Sequence, residues 1–226
     1  MSNTNGPAGY AAILTNLEHA RCVVVGGGAV AERKVRELLA GGARPLVISP
    51  ALSAALASWR DAGAIEHAAR PYRPGDLAGA FLVIAATDDR ATNAAVAAEA
   101  AGICPLVNIA DAPDEGTMHT AAVVRRGQLL LAVSTGGAAP ALAARISREL
   151  AERYGEEYAE LLSLLGRLRA GAARELPAAR RAALWRRLVS GDELLARLRA
   201  GDSAAAEAYA LALIGELSAQ ASGAPE

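Results

Sequence analysis

Three consecutive glycines, Gly26, Gly27 and Gly28, stand between an apolar run and the start of a helical pattern. Gly26, Gly28 and Ala31 fit the G-x-G-x-x-G/A spacing of dinucleotide-binding proteins. In that motif the first glycine makes the turn, the second admits a pyrophosphate, and the small third residue lets the helix pack on its strand. The N–H groups at the helix N-terminus then bind the phosphates. The spacing predicts a nucleotide site, with a glycine-rich turn that binds no ligand as the plainer alternative.

Further candidates lie at the ends of predicted strands. In a doubly wound sheet, ligands bind beyond the carboxyl ends of the strands. Four segments should meet there, namely 26–30, 49–51, 87–88 and 108–111. The acidic residue that usually binds the ribose is missing after the second strand. Backbone groups and the Ser49 hydroxyl would therefore hold the ribose, and the spacing does not separate NAD from NADP.

Asp111 is the carboxylate best placed for chemistry, because it follows the predicted strand 106–109 in a turn before Pro113. A partly desolvated carboxylate at this position can act as a general base or hold a basic nitrogen. Aspartate before a proline is also common in turns for conformational reasons alone. The sequence leaves both interpretations open, and Asp111 is the predicted catalytic residue.

His119 is the histidine nearest this edge of the predicted sheet. Its imidazole can donate or accept a proton. A single histidine has no ligand partners in the sequence, so we predict no metal site. Asp88 and Asp89 are interpreted as the N-terminal cap region of the next helix rather than as catalysts.

Composition limits the possible classes of protein. The 226 residues are 53% hydrophobic and 21% charged, which is typical of a globular protein. A net charge of −1 argues against nucleic acid as a partner. The sequence contains no apolar run of membrane-spanning length and no signal-peptide pattern, so no membrane partner is expected. Cys22 and Cys104 fit neither a disulfide framework nor a metal motif, which favours the cytoplasm.

Apolar runs of strand length alternate with helical patterns over residues 10–112. This alternation predicts an α/β fold with a doubly wound, Rossmann-type parallel sheet. The pattern then changes, because residues 121–124 and 129–133 predict a hairpin. Pro140 suits the first turn of a long helix, and residues 172–220 predict further helices.

Five motifs occur in an order and spacing that match a known family. They are 24–34 around the glycine turn, 85–89, 107–113, 126–127 and 132–140. Over about residues 10–165, the chain resembles the precorrin-2 dehydrogenase and sirohydrochlorin ferrochelatase family, which includes the dehydrogenase module of siroheme synthase. No methyltransferase domain follows in this sequence, so we expect the stand-alone form.

The resemblance implies an NAD-dependent oxidation of precorrin-2 to sirohydrochlorin in tetrapyrrole biosynthesis, and some relatives also insert ferrous iron. It implies a Rossmann domain over 1–112, a small α+β dimerisation segment over 113–150, and a helical C-terminal domain over 151–226. The expected partners are the tetrapyrrole substrate precorrin-2 and a second copy of the chain, in a homodimer.

The resemblance also implies roles for residues by position. Asp111 matches the family's proposed catalytic aspartate. Together with the strand-end candidates above, the expected contacts to NAD are Gly26, Gly27, Gly28, Ala29, Val30, Ser49, Pro50, Ala51, Thr87 and Asp88. The expected substrate contacts are Asn108, His119, Ser134 and Thr135.

A non-catalytic alternative belongs to a different class of protein. The same glycine turn suits a sensor that changes its dimer geometry when it binds NAD(H). Such a sensor has no need of Asp111 or of residues 134–140, and it should bind NAD(H) while ignoring sirohydrochlorin.

Overall fold

The computed structural model describes residues 9–171 and 176–222. It divides the chain into two compact units, Met1–Thr120 and Ala121–Glu226. The first unit contains a parallel five-stranded sheet with strand order β3-β2-β1-β4-β5. Its strands are β1 (Cys22–Val25), β2 (Leu46–Ile48), β3 (Glu66–Ala68), β4 (Leu82–Ala85) and β5 (Leu106–Ile109). Its helices are α1 (Ala29–Ala40), α2 (Ala54–Asp61) and α3 (Arg90–Ala100). The predicted doubly wound parallel sheet is confirmed.

The sheet is buried on both faces, which is why its strands appear in the sequence as continuous apolar runs. Val24 and Ile84 pack in one core with apolar residues of α1 and α2. Val23 and Val83 pack in a second core with Val96 of α3. The strand order reverses between β1 and β4, and this switch point is where doubly wound sheets bind ligands.

Helices α2 and α3 begin where short polar side chains satisfy their first N–H groups. The Ser53 hydroxyl accepts a hydrogen bond from the Leu56 N–H at 3.3 Å. The Asp89 carboxylate accepts from the N–H groups of Ala91 at 3.0 Å and Thr92 at 3.2 Å. Hydrogen bonds from the Thr92 hydroxyl and these N–H groups hold the pKa of Asp89 below its usual value. Asp89 is the N-cap of α3, as interpreted from the sequence.

The connection from β3 to β4 is a loop without a helix, and two carboxylates hold it in place. Asp76 accepts two hydrogen bonds from the Arg70 guanidinium, at 2.7 and 2.8 Å. Glu99 of α3 accepts from the Tyr72 hydroxyl, and from the Leu77 N–H at 3.0 Å. Burial and the Glu99 carboxylate raise the pKa of Tyr72. These polar contacts, together with Leu77 and Ala80 buried in the second core, fix the connection without a helix.

The Arg70–Asp76 pair predicts an acid-sensitive contribution to stability. Hydrogen bonding from Arg70 lowers the pKa of Asp76 in the folded protein. A carboxyl group with a lowered pKa stabilises the fold at neutral pH, and this contribution disappears as the pH falls below about 4. We expect Asp76→Asn to unfold at a lower temperature than the parent at pH 7, and the difference to shrink in acid. Thermal unfolding at several pH values measures this, and Asp61→Asn, in an exposed ion pair, is the matched control. A difference between Asp76→Asn and the parent that stays constant across the pH range would contradict this prediction.

The second unit consists of a hairpin and a set of helices. Its strands are β6 (Ala122–Arg126) and β7 (Leu129–Val133), and they pair antiparallel. Its helices are α4 (Pro140–Arg153), α5 (Glu157–Ala170), α6 (Ala178–Ser190), α7 (Glu193–Arg199) and α8 (Ser203–Ser222). Buried leucines of α5 to α8, such as Leu168 and Leu184, form its core. No helix in the described ranges is both long and apolar enough to span a membrane.

The hairpin of the second unit differs in one detail from the sequence interpretation. The basic pair Arg125-Arg126 belongs to β6, so the hairpin turn is only Gly127 and Gln128, with Gly127 at φ 54°. Arg126 is a structural residue, because it donates to the Ala151 carbonyl at 3.0 Å and thereby holds the hairpin to α4. The helix that begins at Pro140 ends at Arg153, and a separate helix follows.

Candidate active site

The glycine turn lies where three strand ends meet, and its first two glycines are required by close backbone packing. Gly26 has φ +126°, and a Cβ there would lie 2.3 Å from the Ala86 carbonyl oxygen. A Cβ on Gly27 would lie 1.9 Å from the Ala51 carbonyl oxygen. Neither position can hold a side chain without movement of the backbone. These two glycines bring the ends of β1, β2 and β4 together.

Gly28 is different, because a Cβ at this position would meet no atom within 4 Å. Gly28 is the N-cap of α1 and provides no side-chain cap. The next residues, Ala29 and Val30, are exposed. Because the first N–H groups of a helix lack intrahelical partners, this end of α1 offers donors and a positive dipole end to an anion.

Ser49, Pro50 and Ala51 form a turn against the glycines. Ser49 is 8% exposed, and its hydroxyl donates to the Ala51 carbonyl at 2.7 Å. The Gly27 carbonyl accepts from the Ser53 N–H at 2.8 Å. Pro50 and Ala51 are exposed beside this contact. The hydroxyl proton of Ser49 is bonded within the turn, and its oxygen can still accept a hydrogen bond, so contact of Ser49 with the ribose stays a prediction.

Thr87 and Asp111 are joined by a residue that the sequence analysis missed. Asn93, in the first turns of α3, is fully buried. Its amide nitrogen donates to the Thr87 carbonyl at 3.0 Å and to Asp111 Oδ1 at 2.9 Å. Its amide oxygen accepts from the Thr87 hydroxyl at 2.8 Å. A buried asparagine on the inner face of an otherwise alanine-rich helix is unusual, and this was the signal available in the sequence.

Asp111 follows β5 at the same edge of the sheet as the glycine turn, because the strands are parallel. Its carboxylate is 37% exposed, and Oδ2 lies 3.8 Å from Arg90 Nε. Arg90 also pairs with Glu115. The chain therefore supplies a half-exposed carboxylate held on one side by an amide and on the other by a guanidinium. Asp88 is exposed at this edge as well.

Asn108 and His119 belong to β5 and to the segment that follows it. Asn108 is 5% exposed, and its amide nitrogen donates to the Met118 carbonyl at 3.2 Å. Its buried Oδ1 has no hydrogen-bond partner among the described residues. Lys34 of α1, whose pKa is lowered by burial, donates to the Thr120 hydroxyl in the same segment. His119 is exposed, and the described residues contain no cluster of three or more side chains suited to a metal.

Ser134 and Thr135 lie in the second unit, at the loop that precedes α4. The Ser134 hydroxyl accepts from the Gly136 N–H at 3.2 Å. The Thr135 hydroxyl accepts from the Ala139 N–H at 3.1 Å. Both side chains thus stabilise a glycine-rich turn within their own unit, and their contact with substrate stays a prediction.

Comparisons with known proteins decide the family. A family model described as putative NAD(P)-binding matches residues 13–122, and the model of the sirohaem biosynthesis protein central domain matches residues 126–153. Siroheme synthase 1 of Aeromonas salmonicida (strain A449) is 38% identical over 210 residues, which are 92% of this chain and 44% of that protein. The solved structure titled "SirC, precorrin-2 dehydrogenase" has a TM-score of 0.74 at 26% identity, covering 92% of this chain and all of that one. The chain is similar to siroheme synthases over most of its own length, and it is similar in fold to the solved precorrin-2 dehydrogenase.

The chain spans less than half the length of the curated siroheme synthases that it matches. A siroheme synthase of Pseudomonas putida (strain W619) shows the same relation, with 38% identity over 91% of this chain and 44% of that protein. The putative NAD(P)-binding model covers the whole glycine turn and Asp111. The predicted family and the predicted α/β fold are confirmed.

NAD is the cofactor, as predicted, and the residues of the glycine turn fit it. The space beyond Gly28 and the N–H groups of α1 suit a pyrophosphate. Ser49 and Pro50 follow the end of β2 in place of an acidic residue, and backbone groups with the Ser49 hydroxyl stay the predicted ribose contacts. The individual contacts to NAD stay predictions.

Proposed function

We propose that this protein catalyses the NAD-dependent oxidation of precorrin-2 to sirohydrochlorin. The observation that supports this most strongly is the position of Asp111. Its half-exposed carboxylate follows β5 at the edge of the sheet where the glycine turn and α1 offer a phosphate site. A pocket that contains a hydride acceptor and a base can remove two hydrogens from one substrate.

The proposed roles follow from the balance of the reaction. When bound, NAD supplies the acceptor for the hydride that leaves precorrin-2. Asp111 accepts the proton that leaves with it, as a general base. Asn108 and His119, on β5 and in the segment that follows it, are proposed substrate contacts. Precorrin-2 carries many carboxylates, so exposed arginines near the site, such as Arg90, have partners on the substrate.

The experiment is a turnover assay with a binding control. The protein is incubated with precorrin-2 and NAD without oxygen, and sirohydrochlorin absorbance is followed. A second assay titrates the protein with sirohydrochlorin alone. The proposal expects turnover and tetrapyrrole binding. Binding of NAD(H) without turnover or tetrapyrrole binding would overturn it and favour the sensor. The proposal covers dehydrogenation and leaves iron insertion aside.

The proposal includes a homodimer. Its two copies meet through residues 113–150, the segment that follows the Rossmann domain (1–112) in the sequence and precedes the helical domain (151–226). Helix α4 supports it, because Ala143 is its one buried residue while Leu142, Ile146 and Leu150 form an apolar stripe. Such a stripe is suited to burial against a second copy.

The two cysteines are free and buried, which agrees with the proposed cytoplasmic location.

A substitution in the stripe tests the homodimer. Leu142 is 40% exposed, and Leu142→Asp would place a charge in the proposed interface. We expect at least a tenfold weaker dimer, since an unpaired buried charge costs more than about 1.4 kcal/mol. Sedimentation equilibrium measures this, and Val189→Asp, at an exposed position on α6, is the control. Equal dimer affinity for the two variants would contradict the proposed interface.

A further inference from the structure

Asn93 is the one residue in the described network that joins the candidate base to the body of the protein. It lies on α3, eighteen residues before Asp111 in the chain, and its side chain is wholly inaccessible to solvent. Both hydrogens of its amide are used, one on the Thr87 carbonyl at 3.0 Å and the other on Asp111 Oδ1 at 2.9 Å. Thr87 therefore anchors the Asn93 amide, which donates its second hydrogen to Asp111.

The two partners depend on this hydrogen bond unequally. A buried amide needs partners, but a carboxylate that is 37% exposed can satisfy itself with water. Thr87 already supplies Asn93 with three partners. The Thr87 carbonyl accepts from the amide nitrogen, and the Thr87 hydroxyl and N–H donate to the amide oxygen at 2.8 and 3.2 Å. The remaining amide hydrogen holds Oδ1 of Asp111 at hydrogen-bond distance.

The other charged groups around Asp111 do not fix its orientation in the same way. Arg90 Nε lies 3.8 Å from Oδ2, beyond hydrogen-bond distance, on a half-exposed side chain. Glu115, from the turn after β5, pairs with Arg90 rather than with Asp111. The Asp89 carboxylate is occupied as the cap of α3. The short bond from Asn93 therefore sets the direction of the Asp111 carboxylate.

We propose that Asn93 is the positioning residue of this dehydrogenase, which orients the Asp111 carboxylate so that its free oxygen Oδ2 faces the proton to be removed. The inference rests on the proposed function. Asn93 touches neither substrate nor cofactor in this role. Orientation of a base to within a fraction of an ångström is worth large rate factors, because a misplacement of about 1 Å costs about 100-fold.

The test is a double-mutant cycle between Asn93 and Asp111. Asn93→Ser keeps a hydroxyl for Thr87 but cannot reach Asp111. We expect kcat to fall by about 10- to 100-fold, with NAD affinity and KM for precorrin-2 nearly unchanged. In the Asp111→Asn background, Asn93→Ser should cause no further loss, because its effect passes through Asp111. Equal losses in both backgrounds, or an unchanged kcat, would overturn the proposal.

An isosteric variant covers the case in which Asn93→Ser does not fold. Asn93→Asp keeps the shape and the acceptor for Thr87 but replaces the donor with a second carboxylate. Neighbouring carboxylates resist joint ionisation, so full ionisation of the pair should need a higher pH. The acid limb of the pH–rate profile should therefore move to higher pH, although the charged neighbours Arg90 and Glu115 are the same in both proteins. A profile that does not move would overturn the proposal.

The two proposals fail in distinguishable ways. If the parent protein does not oxidise precorrin-2, the proposed function fails and no cycle is needed. The positioning itself is then read from a crystal structure of Asn93→Ser without ligands. A carboxylate of Asp111 that keeps its parental orientation in that structure would overturn the positioning role independently of activity.

Discussion

Asp111→Asn will lower kcat for precorrin-2 oxidation by about 10²- to 10⁴-fold, the range expected when a general base is lost. The amide has the shape of the carboxylate but cannot accept the proton, and it can still meet Asn93 after a flip of its own amide. The glycine turn is untouched, so NAD should bind as tightly as in the parent. Single-turnover kinetics with saturating NAD, together with an NAD titration, measure the two effects separately.

Asp114→Asn is the matched control for this prediction. Asp114 is exposed and lies three residues further along, in the 3-10 turn Pro113–Glu115. The two substitutions remove the same charge from the same short segment, so a general electrostatic effect would appear in both. If Asp111→Asn and Asp114→Asn retain equal kcat values, Asp111 is a turn residue, which is the structural alternative that the sequence left open.

Gly28→Val will weaken NAD binding by about 10- to 100-fold, because one or two charge-assisted hydrogen bonds to phosphate are lost. The position has an ordinary φ of −89°, and a Cβ there would have no protein atom within 4 Å, so the new side chain has room. It enters the space in front of the α1 N–H groups, where the pyrophosphate is expected. The cost to folding is small, about 1 kcal/mol for a poor N-cap residue.

Two further glycine substitutions show whether a change in NAD affinity is specific to position 28. Gly166→Val adds the same side chain at a position in α5 that is also open, and it should leave the NAD affinity unchanged. Gly27→Ala forces a Cβ to within 1.9 Å of the Ala51 carbonyl oxygen, so it should destabilise the first unit by about 1–3 kcal/mol or more. If Gly28→Val binds NAD as tightly as the parent does, the pyrophosphate does not lie in front of the α1 N–H groups.

Much of the first unit is predictable from the sequence because its signals are local. A buried parallel strand is a short apolar run between turn residues, and β5 was expected at 106–109, where the structure has it. The position of Asp111 at the ligand-binding edge follows from topology alone, since every parallel strand of the sheet ends at that edge. Ser53 and Asp89 act as helix caps through N–H groups two or three residues away, which a sequence window contains.

The residues that could not be predicted act over longer distances in the chain. Asn93 joins Thr87 to Asp111, which is eighteen residues away, and only the folded sheet brings these groups together. Lys34 is buried against Thr120, eighty-six residues further on, although a lysine on a helix is ordinarily expected to be exposed. The first strand of the hairpin was expected to end at residue 124, whereas β6 extends to Arg126, whose side chain donates to the Ala151 carbonyl in α4.

If one site takes a hydride and a proton from the same substrate, one NADH forms with each sirohydrochlorin, and the stoichiometry of a single assay tests this. The protein is mixed with limiting precorrin-2 and excess NAD in the absence of oxygen, and NADH and sirohydrochlorin are measured together by absorbance. The account predicts equal amounts of the two products in the parent and almost none of either in Asp111→Asn. Sirohydrochlorin formed without NADH, or NAD bound without either product, would contradict it.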